Sequence, residues 1–132
     1  MSSHSAESLL ADLERRGAVV KRAKSGRLHT LDLKPIAAQL SNADVTALAV
    51  LSDIRHLELD GAAIDDQAIP ALQQLAKLNY LSLQQTTVSD QSVEALQQMQ
   101  QLKFLLLTGT AVSKEGLANL RRGMIGTRIV FL

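Results

Sequence analysis

The sequence predicts an α/β fold built from stacked copies of one short unit, a helix followed by a strand, and three observations predict it. A shift of 24 residues lays the chain over itself with apolar residues in register. Within each unit the apolar spacing changes from steps of three, as in Val93, Leu96, Met99 and Leu102, to a step of two at Leu105 and Leu107, so a helical face gives way to a strand. Apolar residues make up 46% of the chain and aromatic residues only 2%, so aliphatic side chains must supply the packing. One unit cannot bury its own leucines; units side by side give a parallel sheet on one face, helices on the other and a shared aliphatic core.

Taken in order, residues 5–16 form an amphipathic helix, with Ser5 as N-cap, Leu9, Leu10 and Leu13 facing inward, and Gly17 as its stop. Val19 and Val20, the turn Lys24-Ser25-Gly26-Arg27 and the run Leu28 to Leu33 predict a hairpin that caps the first repeat. Pro35 falls in the loop from Leu33 to Leu40, which is two residues longer than the loop from Leu59 to Ile64. The repeat columns then run Val45, Ile69, Val93, Leu117 and Leu48, Leu72, Leu96, Leu120 on the helices, and Leu57, Leu81, Leu105, Ile129 and Leu59, Leu83, Leu107, Phe131 on the strands. Gly123 and Gly126 alone break the apolar rule, which predicts a shortened last helix before a final strand. Asp65, Asp66, Ser89 and Asp90 stand just ahead of helices, where capping accounts for them, and Pro70 falls in a first turn, where a missing amide costs little. The expected organisation is a single domain over 1–132: residues 1–34 as N-terminal cap and first strand, and 35–132 as about four repeats with a shortened C-terminal cap.

The segments IRHLELDGAAIDD, LNYLSLQQTTVSD and LKFLLLTGTAVSK resemble the strand and turn of leucine-rich repeats, and the match covers residues 28–132. Thr86 and Thr110, followed by Val88-Ser89-Asp90 and Val112-Ser113-Lys114, resemble a bacterial subclass of short repeats with a TxVTD-like turn. The resemblance implies a right-handed solenoid with parallel strands on its concave face, short helices on its convex face and a helix-hairpin cap at the N-terminus. It also implies a partner bound at the strand face. Transferred to this chain, that face carries three ladders: Thr30, His56, Tyr80, Phe104, Arg128; Asp32, Glu58, Ser82, Leu106, Val130; and Lys34, Asp60, Gln84, Thr108, Leu132. The residues expected to contact a partner are His56, Glu58, Tyr80, Ser82, Phe104, Leu106, Arg128 and Val130, with Phe104, Leu106, Val130 and Leu132 forming an exposed apolar patch beside Tyr80.

Other classes of function find little support. A net charge of +1 gives no field favouring nucleic acid or an anionic membrane. The densest basic run, Arg15, Arg16, Lys21, Arg22, Lys24 and Arg27, is able to touch phosphate or an acidic partner, but it lacks interleaved aromatics and fits a solvated face better. The absence of cysteine removes thiol chemistry and Cys-ligated metal. With neither a signal-peptide pattern nor an apolar run of membrane length, the chain is expected to be cytoplasmic. His4, His29 and His56 are dispersed, so no catalytic constellation forms. His56, Glu58 and Asp60 alternate onto one strand face, where a metal site is geometrically open, but a surface histidine among carboxylates is the commoner arrangement. No cofactor is expected. The chain is thus read as a non-catalytic module binding another protein, with a self-assembling scaffold, a homodimer through the C-terminal edge strand, as the alternative.

Overall fold

In the computed structural model, which describes residues 2–132 and side chains from Ala6 onward, six short strands form one sheet in chain order. They are β1 (Val19–Arg22), β2 (Leu28–Asp32), β3 (His56–Glu58), β4 (Tyr80–Ser82), β5 (Phe104–Leu106) and β6 (Arg128–Val130). β1 and β2 pair antiparallel as a hairpin, and every later pair is parallel and in register, Leu57 beside Leu81 and Leu81 beside Leu105. Parallel strands require a crossover between them, and the helical segments supply it. These are α2 (Asn42–Ala47), α3 (Ile69–Leu72), α4 (Val93–Gln97) and α5 (Lys114–Gly123). The leucine columns meet between the two layers: Leu57, Leu59, Leu81, Leu83, Leu105 and Leu107 are all fully buried.

The steps of three in the sequence have a backbone counterpart. After each short helix the chain continues with amides bonded three residues back, Leu75 to Leu72 and Leu78 to Leu75, then Met99 to Leu96 and Leu102 to Met99. Such 3₁₀-type bonding places every third side chain on one line, toward the core. The segment around Pro35 is likewise a 3₁₀ helix, Lys34–Gln39, rather than an open loop.

The last repeat departs from this bonding, and the expected shortening is not found. With ten residues, α5 is the longest helix of the repeats, and Gly123 lies in its final turn. The Met124 amide bonds four residues back to Leu120, a full α-turn where earlier repeats use three. That extra residue moves Met124 into the core, 1% exposed, in place of Gly123. The glycine has a packing reason: a Cβ on Gly123 would run into the side chain of Gln97, which donates to the Asn119 carbonyl at 2.8 Å.

At the N-terminus α1 spans Ser2–Arg16, so Ser5 lies inside the helix rather than at its cap. The stop at Gly17 is as expected. Its φ of +119° continues into a Schellman closure, with Gly17 N–H on the Glu14 carbonyl and Ala18 N–H on the Leu13 carbonyl, each at 3.0 Å. Leu10 and Leu13 are buried, and Leu9 packs half-buried beside them. The β1–β2 hairpin turns at Gly26, φ +90°.

One column works differently from its sequence reading. Asp65, Ser89 and Ser113 do cap helices, accepting from the amides of Gln67, Gln91 and Gly116. Asp66 and Asp90, however, reach across to the next repeat. Asp66 accepts from the amide and hydroxyl of Ser89, at 2.8 and 2.5 Å, and from the Ser92 hydroxyl at 2.5 Å. Asp90 accepts from the amide and hydroxyl of Ser113 at 2.8 and 2.5 Å. Burial pushes the Asp66 carboxyl up, but these donors outweigh it and hold the group below the ordinary carboxylate value. Gly116 is part of the same joint, since a Cβ there would collide with the Asp90 carboxylate.

Candidate partner-binding site

Alternation along each strand turns the residues flanking the buried leucines to the opposite surface of the sheet. Register then lines them up: Thr30, His56, Tyr80, Phe104 and Arg128 are successive partners, as are Asp32, Glu58, Ser82, Leu106 and Val130. Neighbouring strands lie about 4.8 Å apart, close enough for in-register rings to stack. The His56 and Tyr80 rings do so, with centroids 3.8 Å apart and planes within 10°. Phe104 continues the row, its centroid 5.9 Å from that of Tyr80 at a tilt of 43°. Two of the chain's three aromatic residues therefore stand on the sheet's outer surface, while aliphatic residues fill the core.

At one end of the row the chemistry is ionic. Lys34 Nζ lies 2.9 Å from Glu58 and 3.9 Å from Asp32, and His56 Nε2 lies 3.4 Å from Glu58. The hydrogen bond to Glu58 raises Lys34 above its ordinary value despite some burial. Burial drives Glu58 upward, yet Lys34 and His56 together hold it below the usual carboxylate range. Burial, then the charges of Glu58 and Asp60, push the Tyr80 phenol up, so it stays protonated and remains a donor near neutral pH. At the other end Phe104 is 42% exposed, Leu106 and Val130 are half-buried, Arg128 is exposed, and Leu132 is 95% exposed with its amide on the Thr108 hydroxyl at 3.1 Å.

Ser82 is the exception among the residues expected to face a partner. It is 1% exposed, its hydroxyl donating to the Asp60 carboxylate, which also accepts from Gln84 Nε2 at 3.1 Å. Asp60 closes over the serine and takes its place at the surface. Sequence spacing put Asp60 in the third ladder, and the signal for its role is its diagonal position, one strand back from Ser82 and just past β3. Among the described residues no three His, Asp or Glu side chains are grouped to hold a metal ion; His56 and Glu58 meet at 3.4 Å but form no such group with Asp60. No helix of the described residues is long and apolar enough to cross a membrane.

The basic run does not act as a unit. Arg15 and Arg16 pair with Asp12, at 3.3 and 3.7 Å, and Arg22 pairs with Glu7 at 3.4 Å. Arg27 is left to join residues from other elements.

Among solved structures, the chain superposes on the leucine-rich-repeat ectodomain of the receptor kinase SOBIR1 from Arabidopsis thaliana with a TM-score of 0.53, at 10% identity, over 98% of this chain and 92% of that one. The chain has the leucine-rich-repeat fold. A leucine-rich-repeat protein of Leptospira interrogans also aligns with it, at 21% identity and a TM-score of 0.49; the match covers 65% of this chain and 21% of the length of that one. No family model matches the chain, and no curated protein matches it. In the vocabulary of the leucine-rich repeat, the aromatic row stands on the outward residues of the LxxLxL strands, whose leucines are the buried ones.

Proposed function

We propose that this leucine-rich-repeat chain is a non-catalytic protein-interaction module that binds its partner through the row His56, Glu58, Tyr80, Phe104, Leu106, Arg128 and Val130. The observation that carries the reading is the stacked, partly exposed run of His56, Tyr80 and Phe104. Aromatic side chains bury more area than any others, and rigid rings with a polar tip are enriched at interfaces. A fold that leaves them on the outside while packing its core with leucine keeps that area for another molecule. In this reading the repeats form a right-handed solenoid with the row on its concave side, and α1 with the β1–β2 hairpin caps the first repeat. The partner meets an ionic end and an apolar end in one contact, which sets its orientation as well as its affinity.

The test is an affinity pull-down from the source organism's lysate, comparing the native chain with a Tyr80→Ala, Phe104→Ala variant by mass spectrometry, with thermal melts of both. The expected result is a protein retained by the native chain and lost from a variant that still folds. Equal capture by both baits overturns the site, and a stable dimer by light scattering without added ligand moves self-assembly ahead of it.

A further inference from the structure

We propose that a basic cleft at the N-terminal ends of strands β2 to β4 is a binding site for a phosphate group, held by the guanidinium groups of Arg27 and Arg55. The cleft has a volume of about 310 Å³, and Ser25, Arg27, His29, Asp53, Arg55 and Lys77 are among the residues that line it. They come from separate places in the chain: the hairpin turn, the start of β2, and the segments that enter β3 and β4. The fold, not a run of basic sequence, brings them together.

The charges in the cleft do not cancel. Lys77 Nζ pairs with Asp53 at 2.9 Å, which neutralises both. Arg27 and Arg55 form no ion pair among the described residues, so two positive charges remain on one small concavity. The hydrogen bond from Lys77 outweighs burial and, with the charges of Lys77, Arg27 and Arg55 adding to it, holds the Asp53 carboxyl below its ordinary value.

The two unpaired charges select the ligand class. A carboxylate brings one negative charge, whereas a phosphate monoester brings about 1.5 to 2 near neutral pH, matching the two guanidiniums. Arginine presents its donors in a planar fork suited to adjacent phosphate oxygens, and the Ser25 hydroxyl in the lining adds a further donor. The ligand is either a free small phosphate or a phosphorylated side chain on a protein, and the chemistry at the cleft is the same for both. The site lies apart from the aromatic row and stands whether or not that row binds a partner.

The experiment is a titration of the full chain at low ionic strength, followed by NMR at the arginine side-chain N–H resonances. The ligands are inorganic phosphate, a phosphoserine tripeptide, its unphosphorylated form, and chloride at matched ionic strength. Saturable shifts at Arg27 and Arg55 are expected with phosphate and phosphopeptide. Affinity should fall at least about tenfold in Arg27→Gln, Arg55→Gln, as expected for loss of hydrogen bonds to a charged group, and stay unchanged in Arg122→Gln on α5. Equal affinity for the two phosphate ligands identifies a free phosphate, and tighter binding of the peptide identifies a phosphorylated protein; both uphold the site. Shifts that chloride reproduces, no saturable shift in the native chain, or unchanged affinity in the double variant overturn it.

Discussion

Two rows of side chains cross the repeats with the same 24-residue spacing, and they behave in opposite ways. At the helix entries the chemistry repeats: Asp66 holds Ser89 and Asp90 holds Ser113 through the same pair of bonds. On the strand face it changes at every step, from the Lys34–Glu58 ion pair through stacked His56 and Tyr80 to exposed Phe104. A row that joins one repeat to the next must satisfy the same geometry each time, so its residues are constrained. The strand-face row is not needed for that junction, because the backbone register and the leucines behind it already supply it. What varies there is free to be set by whatever the surface meets.

The largest effect expected from this contrast separates core from surface on adjacent strands. Leu81→Ala removes a fully buried side chain from a repeating column and should cost about 2–5 kcal/mol of stability. Phe104→Ala, on the strand paired with β4, removes a ring that is 42% exposed and loses mainly its contact with Tyr80, about 0.5–1.5 kcal/mol. Denaturant titrations of the two variants measure both. Equal losses would mean that the aromatic row is a second core rather than a surface kept for a partner.

Next in size is the joint between repeats. Asp66→Ala leaves Ser89 and Ser92 without their acceptor and should cost about 1–3 kcal/mol. The pH dependence follows from the sign of the shift. The folded-state pKa of Asp66 is depressed, so its contribution is present above the ordinary aspartate value of about 3.9 and is lost as pH falls through the lower folded value. Melts of the native chain and the variant should therefore differ by a constant amount near pH 6–7 and converge below about pH 4. A gap that persists in acid would show that the packing around Asp66, not its charge, makes the joint.

These rows also mark what the sequence could and could not disclose. The strands and their register were legible, because a period of 24 with leucines two apart leaves one way to bury every leucine column. The aromatic row followed from that register alone. The burial of Ser82 did not, since it depends on Asp60 folding back over the neighbouring strand, a diagonal contact that no column displays. The bridging role of Asp66 and Asp90 was hidden by a local explanation that sufficed, as an aspartate before a helix is an ordinary cap. Their clue was the serine that opens the following helix, 23 residues on in both cases. Gly123 does end α5, as a poor helix former suggests, but the structure also uses its missing side chain to admit Gln97, which no spacing displays. The phosphate cleft was out of reach for the same reason as Ser82: Arg27 and Arg55 become neighbours only once β2 and β3 are paired.

One column tests the contrast at its weakest point, because there a repeating row is interrupted. Gly61 and Gly109 turn the chain after their strands with φ of +79° and +80°, and Gln85 occupies the equivalent place with φ +60°. A side chain in this left-handed region costs about 1–2 kcal/mol, against about 0.5–1 kcal/mol for the extra backbone freedom that glycine loses on folding. Restoring the repeat with Gln85→Gly should thus stabilise the chain by roughly 0.5–1 kcal/mol, measured by its melting temperature. The Gln85 side chain, however, lies over Gly109, in the space a Cβ there would need. If Gln85→Gly destabilises instead, that contact outweighs the backbone strain. The interruption would then belong with the rows that hold repeats together, rather than with the positions left free to vary.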